Sequence, residues 1–226
     1  MNRKVSKIVI FVWCLMPINS FAAQQPIRYV ALGDSYTIGT GAQPDESWPV
    51  LVTSRLRSQG IPIELAGNLG HNGWTSQNLI DGELPLLQAL KPDYVTLLIG
   101  TNDWVQGVDA RLFQQHVEYI LGELLKIIPD HGHILIITIP DFSVTPTGRQ
   151  FSYGRDVTQG IKAFNQILLQ LAQRLHIKTI DLYPLSQKMG QDLSLIAPDG
   201  LHPSAKGYAQ WADLIEPVFQ QLLSKP

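Results

Sequence analysis

RYVALGDSYT, residues 28–37, decides how the chain is to be read. Four residues with the pattern of a buried strand, Tyr29 to Leu32, run straight into Gly33, Asp34 and Ser35. Gly, Asp and Ser are common turn formers. On its own, therefore, the stretch reads either as a plain turn or as a strand end that presents a hydroxyl.

Downstream, apolar runs of the same kind alternate with amphipathic ones. Strands are predicted at 27–32, 61–67, 93–100, 133–140 and 177–182, nearly continuous in Ile, Val and Leu as parallel strands covered on both faces should be. Helices are predicted at 47–59, 75–90, 109–127, 157–175 and 204–223. In ARLFQQHVEYILGELLKII, the spacing of Leu112, Phe113, Val117, Ile120, Leu121 and Leu124 draws one apolar stripe. This alternation predicts a doubly wound α/β fold, with residues 23–226 as one domain and no repeat, linker or low-complexity segment. One longer irregular stretch, DFSVTPTGRQFSYGRD (141–156), follows the fourth strand, where lids and specificity loops are often found.

Residues 1–22 differ in character. Arg3, Lys4 and Lys7 precede IVIFVWCLMPI, and NSFAA supplies small residues, the three parts of a secretory signal peptide. The uncharged stretch from Ile8 to Ile18 is shorter than the ~20 residues a spanning helix needs. Cleavage is expected after Ala22, giving an exported protein, periplasmic or secreted, with no transmembrane segment in the mature chain. Removing residues 1–22 takes away three positive charges and no negative ones, so the net charge moves from −2 to −5. That excess of acid argues against a nucleic-acid partner. The single cysteine, Cys14, lies in the leader, so the mature chain carries neither a disulfide nor a cysteine-ligated metal.

In an open parallel sheet, ligands bind beyond the carboxyl ends of the strands. Gly33-Asp34-Ser35 follows the first strand, NLGHNGWT (68–75) the second and GTND (100–103) the third, and APDGLHPS (197–204) lies beyond the fifth. A serine hydroxyl needs an adjacent base to become a nucleophile, and histidine is suited to that. The histidine in turn needs a carboxylate to fix its tautomer, and Asp199 precedes His202 by three residues. Attack on a carbonyl creates an oxyanion. A backbone N–H at Ser35, one at a glycine such as Gly73, and the side-chain amide of Asn102 would receive it, each worth about 3–4 kcal/mol in the transition state.

GDSYT, NLGHNGWT, GTND and DGLHP, in this order, resemble the sequence blocks of the SGNH-hydrolase (GDSL) superfamily of esterases and lipases. The resemblance covers nearly the whole chain after the leader. It implies a flavodoxin-like three-layer α/β/α sandwich on a parallel sheet of about five strands, with no metal and no cofactor. It further implies Ser35 as nucleophile, His202 as general base and Asp199 as its orienting acid, with Gly73 and Asn102 joining the Ser35 amide in the oxyanion hole. The implied activity is hydrolysis of carboxylic esters through an acyl-enzyme, on short-acyl substrates such as acetylated glycans or on lysophospholipid-type lipids. The chain departs from the commonest pattern at Trp74, where many members carry aspartate, and at Thr101, where many carry glycine.

Trp74, Trp104 and Phe142 are candidates for the substrate groove, with Phe151 and Tyr153 beside them. His131 and His133 have an H-x-H spacing but no carboxylates placed to complete a metal site, and read as ordinary loop histidines. A phosphate-binding or otherwise non-catalytic exported protein on the same fold is the alternative. The chain lacks GxxxxGK, and GTGAQP does not follow a strand as a dinucleotide fingerprint requires.

Overall fold

The computed structural model describes residues 25–223, so the expected leader lies outside the described residues. Five strands form one parallel sheet: β1 (Ile27–Gly33), β2 (Ile63–Asn68), β3 (Tyr94–Leu98), β4 (Ile134–Ile137) and β5 (Lys178–Ile180), in the order β2-β1-β3-β4-β5. This is the flavodoxin-like order, whose topological switch point, and hence the crevice for a ligand, lies between β1 and β3. Tyr29 stands opposite Tyr94 and Gly33 opposite Leu98, so β1 and β3 release their following loops side by side.

Alternation along β1 sends Val30 and Leu32 to one face, and Tyr29 and Ala31 to the other. The first face packs against α3 (Ser76–Gly82), α4 (Leu84–Leu90), α6 (Ala110–Ile127) and α7 (Val157–Arg174) through Leu79, Leu87, Phe113, Val117, Phe164 and Leu168. The second packs against α2 (Trp48–Ser58) and α9 (Ala205–Leu223) through Trp48, Leu56, Trp211 and Phe219. Each fully buried Leu or Phe contributes on the order of 1.5–3 kcal/mol of transfer free energy. Two helix faces on one sheet give three α/β/α layers.

Three features depart from the sequence-based expectation. The helix expected over 75–90 is two helices that break at Glu83, because Pro85 in the first turn of α4 has no N–H to continue the ladder and its ring would crowd the preceding turn. Three short helices were not expected: α1 (Ser35–Ile38), directly after β1, α5 (Thr101–Val105), directly after β3, and α8 (Tyr183–Met189), after β5. The irregular 141–156 stretch contains two 3-10 turns, Phe142–Val144 and Gly148–Ser152. Asp141 anchors it, buried and accepting from Ser143 N–H, Thr158 Oγ1, Tyr183 OH and Gln187 Nε2.

Gly160, inside α7, shows why helix propensity does not decide every position. A Cβ there would stand 1.6 Å from Trp104 Nε1. Alanine normally gains about 1 kcal/mol over glycine in a helix interior, but here the indole, which is packed edge-on to Phe142, has to move. Gly160→Ala is expected to lose about 1–3 kcal/mol, read as a fall in Tm of several degrees. An unchanged or higher Tm would contradict this packing.

Candidate active site

The first question the sequence raised is answered at Gly33. A Cβ there would lie 2.1 Å from the Leu98 carbonyl oxygen of β3, so only glycine permits the close approach of the two strands where β1 ends. Asp34 then caps α1 (Ser35–Ile38) by accepting the Tyr36 N–H at 3.0 Å. Ser35 becomes the first helical residue, whose N–H has no acceptor within the helix. The strand end therefore delivers a hydroxyl and an uncommitted N–H at one point.

His202 reaches that point from the opposite side. Its Nε2 lies 2.9 Å from Ser35 Oγ, and its Nδ1 lies 2.6 Å from Asp199 Oδ2. Asp199 Oδ1 accepts the N–H groups of Leu201 and His202 at 2.8 and 3.0 Å, so one carboxylate fixes both the loop and the ring. Burial alone would raise the Asp199 pKa. The bonds from the His202 ring and the two N–H groups outweigh it and hold the carboxyl below the usual range. The 141–156 segment braces this loop, since Thr147 donates from N to Gly200 O and from Oγ1 to Asp199 O.

Gly73 and Asn102 arrive from the loops after β2 and β3. Gly73 adopts φ +77°. Its carbonyl accepts from Gln106 Nε2, and the residue lines the cavity beside Ser35. Asn102 Nδ2 donates one proton to Trp74 O at 2.9 Å; an amide nitrogen carries two, and Asn102 lines the same cavity. Asp103, next in the chain, accepts from Ser76 N–H and Ser76 Oγ, while the Ser76 hydroxyl also meets His116 Nδ1.

The cavity at Ser35 and His202 measures about 220 Å³. Its polar end holds Ser35, Gly73, Asn102 and His202, and its apolar wall consists of Val105, Phe142, Phe151 and Leu201. Phe142 thus lies in the wall. Trp74 and Trp104 stand outside the lining: Trp74 stacks on His71 with ring centres 3.9 Å apart, and Trp104 is buried beneath the Arg155 guanidinium. Tyr153 is 72% exposed at the loop tip. The aromatic composition of these loops pointed to the region but not to which rings face inward. Val105 and Leu201 carried no sequence signal beyond adjacency to GTND and DGLHP. His131 bonds the Leu175 carbonyl and His133 stacks on Tyr94, so neither is turned toward this cavity.

Near the Ser35 corner lies a group of buried acids. Glu83 is fully buried, and its Oε2 accepts the Gly33 N–H at 3.0 Å. Burial pushes the Glu83 carboxyl up to about 9, with the Asp34 charge adding to the rise, and Asp34 up to about 7, with the Asp103 charge adding to it. Burial likewise raises Asp103, against the bonds from Ser76.

The comparisons with known proteins agree with this architecture. The sequence profile of the GDSL-like Lipase/Acylhydrolase family matches residues 31–210. An arylesterase of Vibrio mimicus is 24% identical over 215 residues, covering 95% of this chain and 96% of that protein. The thioesterase 1/protease 1/lysophospholipase L1 of Escherichia coli strain K12 is 22% identical, covering 91% of this chain and 89% of its own length. Among solved structures, an acetyl xylan esterase, AlAXEase, superposes with a TM-score of 0.67 at 21% identity, over 84% of this chain and 98% of that one. A strand order with its switch point at Ser35, and a family profile spanning most of the chain, lead to one conclusion: the chain belongs to the GDSL-like lipase/acylhydrolase family of ester-hydrolysing enzymes.

Proposed function

We propose that this protein is an exported serine esterase that cleaves carboxylic esters through Ser35, His202 and Asp199. The observation that carries the reading is the unbroken chain of contacts from Asp199 Oδ2 to His202 Nδ1 and from His202 Nε2 to Ser35 Oγ, opening onto an apolar cavity. Asp199 holds the imidazole with Nδ1 protonated, which leaves Nε2 free to take the Ser35 proton as Oγ attacks the ester carbonyl. The oxyanion that forms is received by the N–H groups of Ser35 and Gly73 and by the second amide proton of Asn102. His202 then passes its proton to the departing alkoxide. In the second half, water gives a proton to His202 and attacks the acyl-Ser35 ester, and Ser35 leaves with that proton restored.

The cavity favours a short acyl or small aryl group over a long chain. Its volume of about 220 Å³ is below the range of roughly 300–1,000 Å³ typical of sites for larger organic ligands. Relatives named as an arylesterase and an acetyl xylan esterase fit that size, and one named as a lysophospholipase marks the other extreme. Export rests on the basic, apolar and small-residue segments of residues 3–22.

Hydrolysis of p-nitrophenyl acetate, butyrate, octanoate and palmitate by the mature protein tests the substrate class. The expected result is a maximum of kcat/KM at acetate or butyrate and a loss of at least about tenfold at palmitate, since a cavity of about 220 Å³ is too small to enclose a long acyl chain. A maximum at palmitate would instead favour the lysophospholipid-type reading. Absence of turnover on every ester would favour a binding protein.

A further inference from the structure

We propose that Glu83 is a positioning residue of this esterase: together with Asp34 it forms a buried carboxyl pair that retains a proton at neutral pH and, through the Gly33 N–H, fixes the strand end that carries Ser35. The proposal rests on the reading of Ser35 as nucleophile, and its test separates the two.

The geometry starts at Gly33. Its N–H donates to Glu83 Oε2, and its carbonyl accepts the His71 N–H at 3.3 Å, so both polar groups of the last strand residue are tied. Asp34 and Ser35 follow immediately. Glu83 reaches this peptide because α3 and α4 break at it, turning a residue that would otherwise lie mid-helix into a junction pointing at the sheet. Glu83 and Asp34 are each 0% exposed, and each has one carboxyl oxygen, Glu83 Oε1 and Asp34 Oδ2, without a hydrogen-bond partner.

Two ionised carboxylates cannot share such a site cheaply. Asp34 follows Gly33 directly at the corner between β1 and α1, close enough for its charge to act on Glu83. Asp103 on α5 adds a third acid near Asp34, with His116 of α6 joined to it through Ser76. The Thr101 hydroxyl lies beside Asp34, and the charges of Asp34 and Asp199 both act on the buried Tyr36 phenol. Among the described residues, neither Glu83 nor Asp34 is ion-paired with a lysine or arginine. With no cation, a retained proton is what lets a buried pair of acids persist, by removing one charge and turning an orphaned acceptor into a donor. The high carboxyl pKa of Glu83, about 9, agrees with this.

The proton also predicts a direction for stability. A carboxyl whose native pKa lies above its unfolded value contributes stability that is complete below the unfolded pKa, 4.5 for Glu, and is lost as pH rises toward about 9. Glutamine reproduces the protonated acid, since its carbonyl accepts from Gly33 and its NH₂ donates where the proton would.

Four proteins, wild type, Glu83→Gln, Glu83→Ala and Ser35→Ala, are compared in Tm from pH 5 to 10, and the first three also in kcat and KM on p-nitrophenyl butyrate. For Glu83→Gln the proposal expects kcat at pH 7.5 within about threefold of wild type, a Tm that declines less steeply above pH 7, and no alkaline loss of kcat. Wild type is expected to lose at least about fivefold in kcat between pH 7.5 and 10. Glu83→Ala is expected to lower kcat at least about tenfold with KM nearly unchanged; if it does not fold, Glu83→Asp, one methylene short of Gly33, replaces it. Equal Tm slopes for wild type and Glu83→Gln would overturn the retained proton. Equal kcat losses for Gln and Ala would overturn the positioning role. If wild type hydrolyses no ester at all, the esterase reading fails, while the Tm slopes still decide the carboxyl pair.

Discussion

Ser35→Ala is expected to lower kcat on p-nitrophenyl butyrate by roughly 10⁴–10⁶-fold while leaving Tm within a few degrees of wild type. The size of the loss follows from the proposed mechanism. There the hydroxyl forms the acyl-enzyme, and without it only the proposed oxyanion donors and the cavity remain to assist water, which in serine hydrolases leaves a small residue of catalysis. The small effect on stability follows from position. Ser35 Oγ bonds only the His202 ring at the rim of the cavity, and the cap of α1 belongs to Asp34. Titration of p-nitrophenol release with time checks both parts. Wild type should show a burst matching the enzyme concentration if deacylation is slower than acylation, and the variant should show none. A variant that retains wild-type turnover would remove Ser35 from the mechanism.

The second large effect is at Asn102. Asn102→Ala is expected to lower kcat by roughly 10²–10³-fold with KM changed by less than about threefold, because in the proposed mechanism its second amide proton meets charge only in the transition state. The other amide proton bonds Trp74 O, so a modest stability cost of about 1 kcal/mol accompanies the loss. Stability and catalysis separate cleanly in this experiment. A role confined to holding the Trp74 loop would lower Tm and raise KM while sparing kcat, and steady-state kinetics beside thermal unfolding distinguishes the two.

Much of this architecture was legible because strands in a parallel sheet must be apolar on both faces. Tyr29 to Leu32 and Tyr94 to Leu98 announce themselves by composition, and their adjacency puts Ser35 and Asn102 side by side. The Asp199–His202 contact was legible for a local reason, since a spacing of three residues lets one carboxylate reach its own neighbour's ring. What escaped depended on tertiary approach. Nothing in ARLFQQH or TSQNLIDGELP says that His116 meets Ser76, or that Glu83 turns toward Gly33, since each contact joins segments at least 40 residues apart. Trp74 and Trp104 show the same limit. An indole near a motif reads as a wall of the site, but His71 and Arg155 offer these two rings better faces to stack on, and the wall is made by Val105, Phe142, Phe151 and Leu201. The break at Glu83 could have been found from Pro85; its consequence, a carboxyl bonded to the end of the strand that leads into Ser35, could not.

The most direct test of the central claim is to identify the residue that carries the covalent intermediate. Mature protein would be treated with diethyl p-nitrophenyl phosphate, which transfers a phosphoryl group to an activated serine with loss of p-nitrophenolate, and then mapped by peptide mass spectrometry. The account predicts one diethylphosphoryl group per chain, on Ser35, with esterase activity falling in proportion to labelling, and no labelling in His202→Ala. A label on another residue, or full activity in a protein whose Ser35 is fully modified, would contradict it.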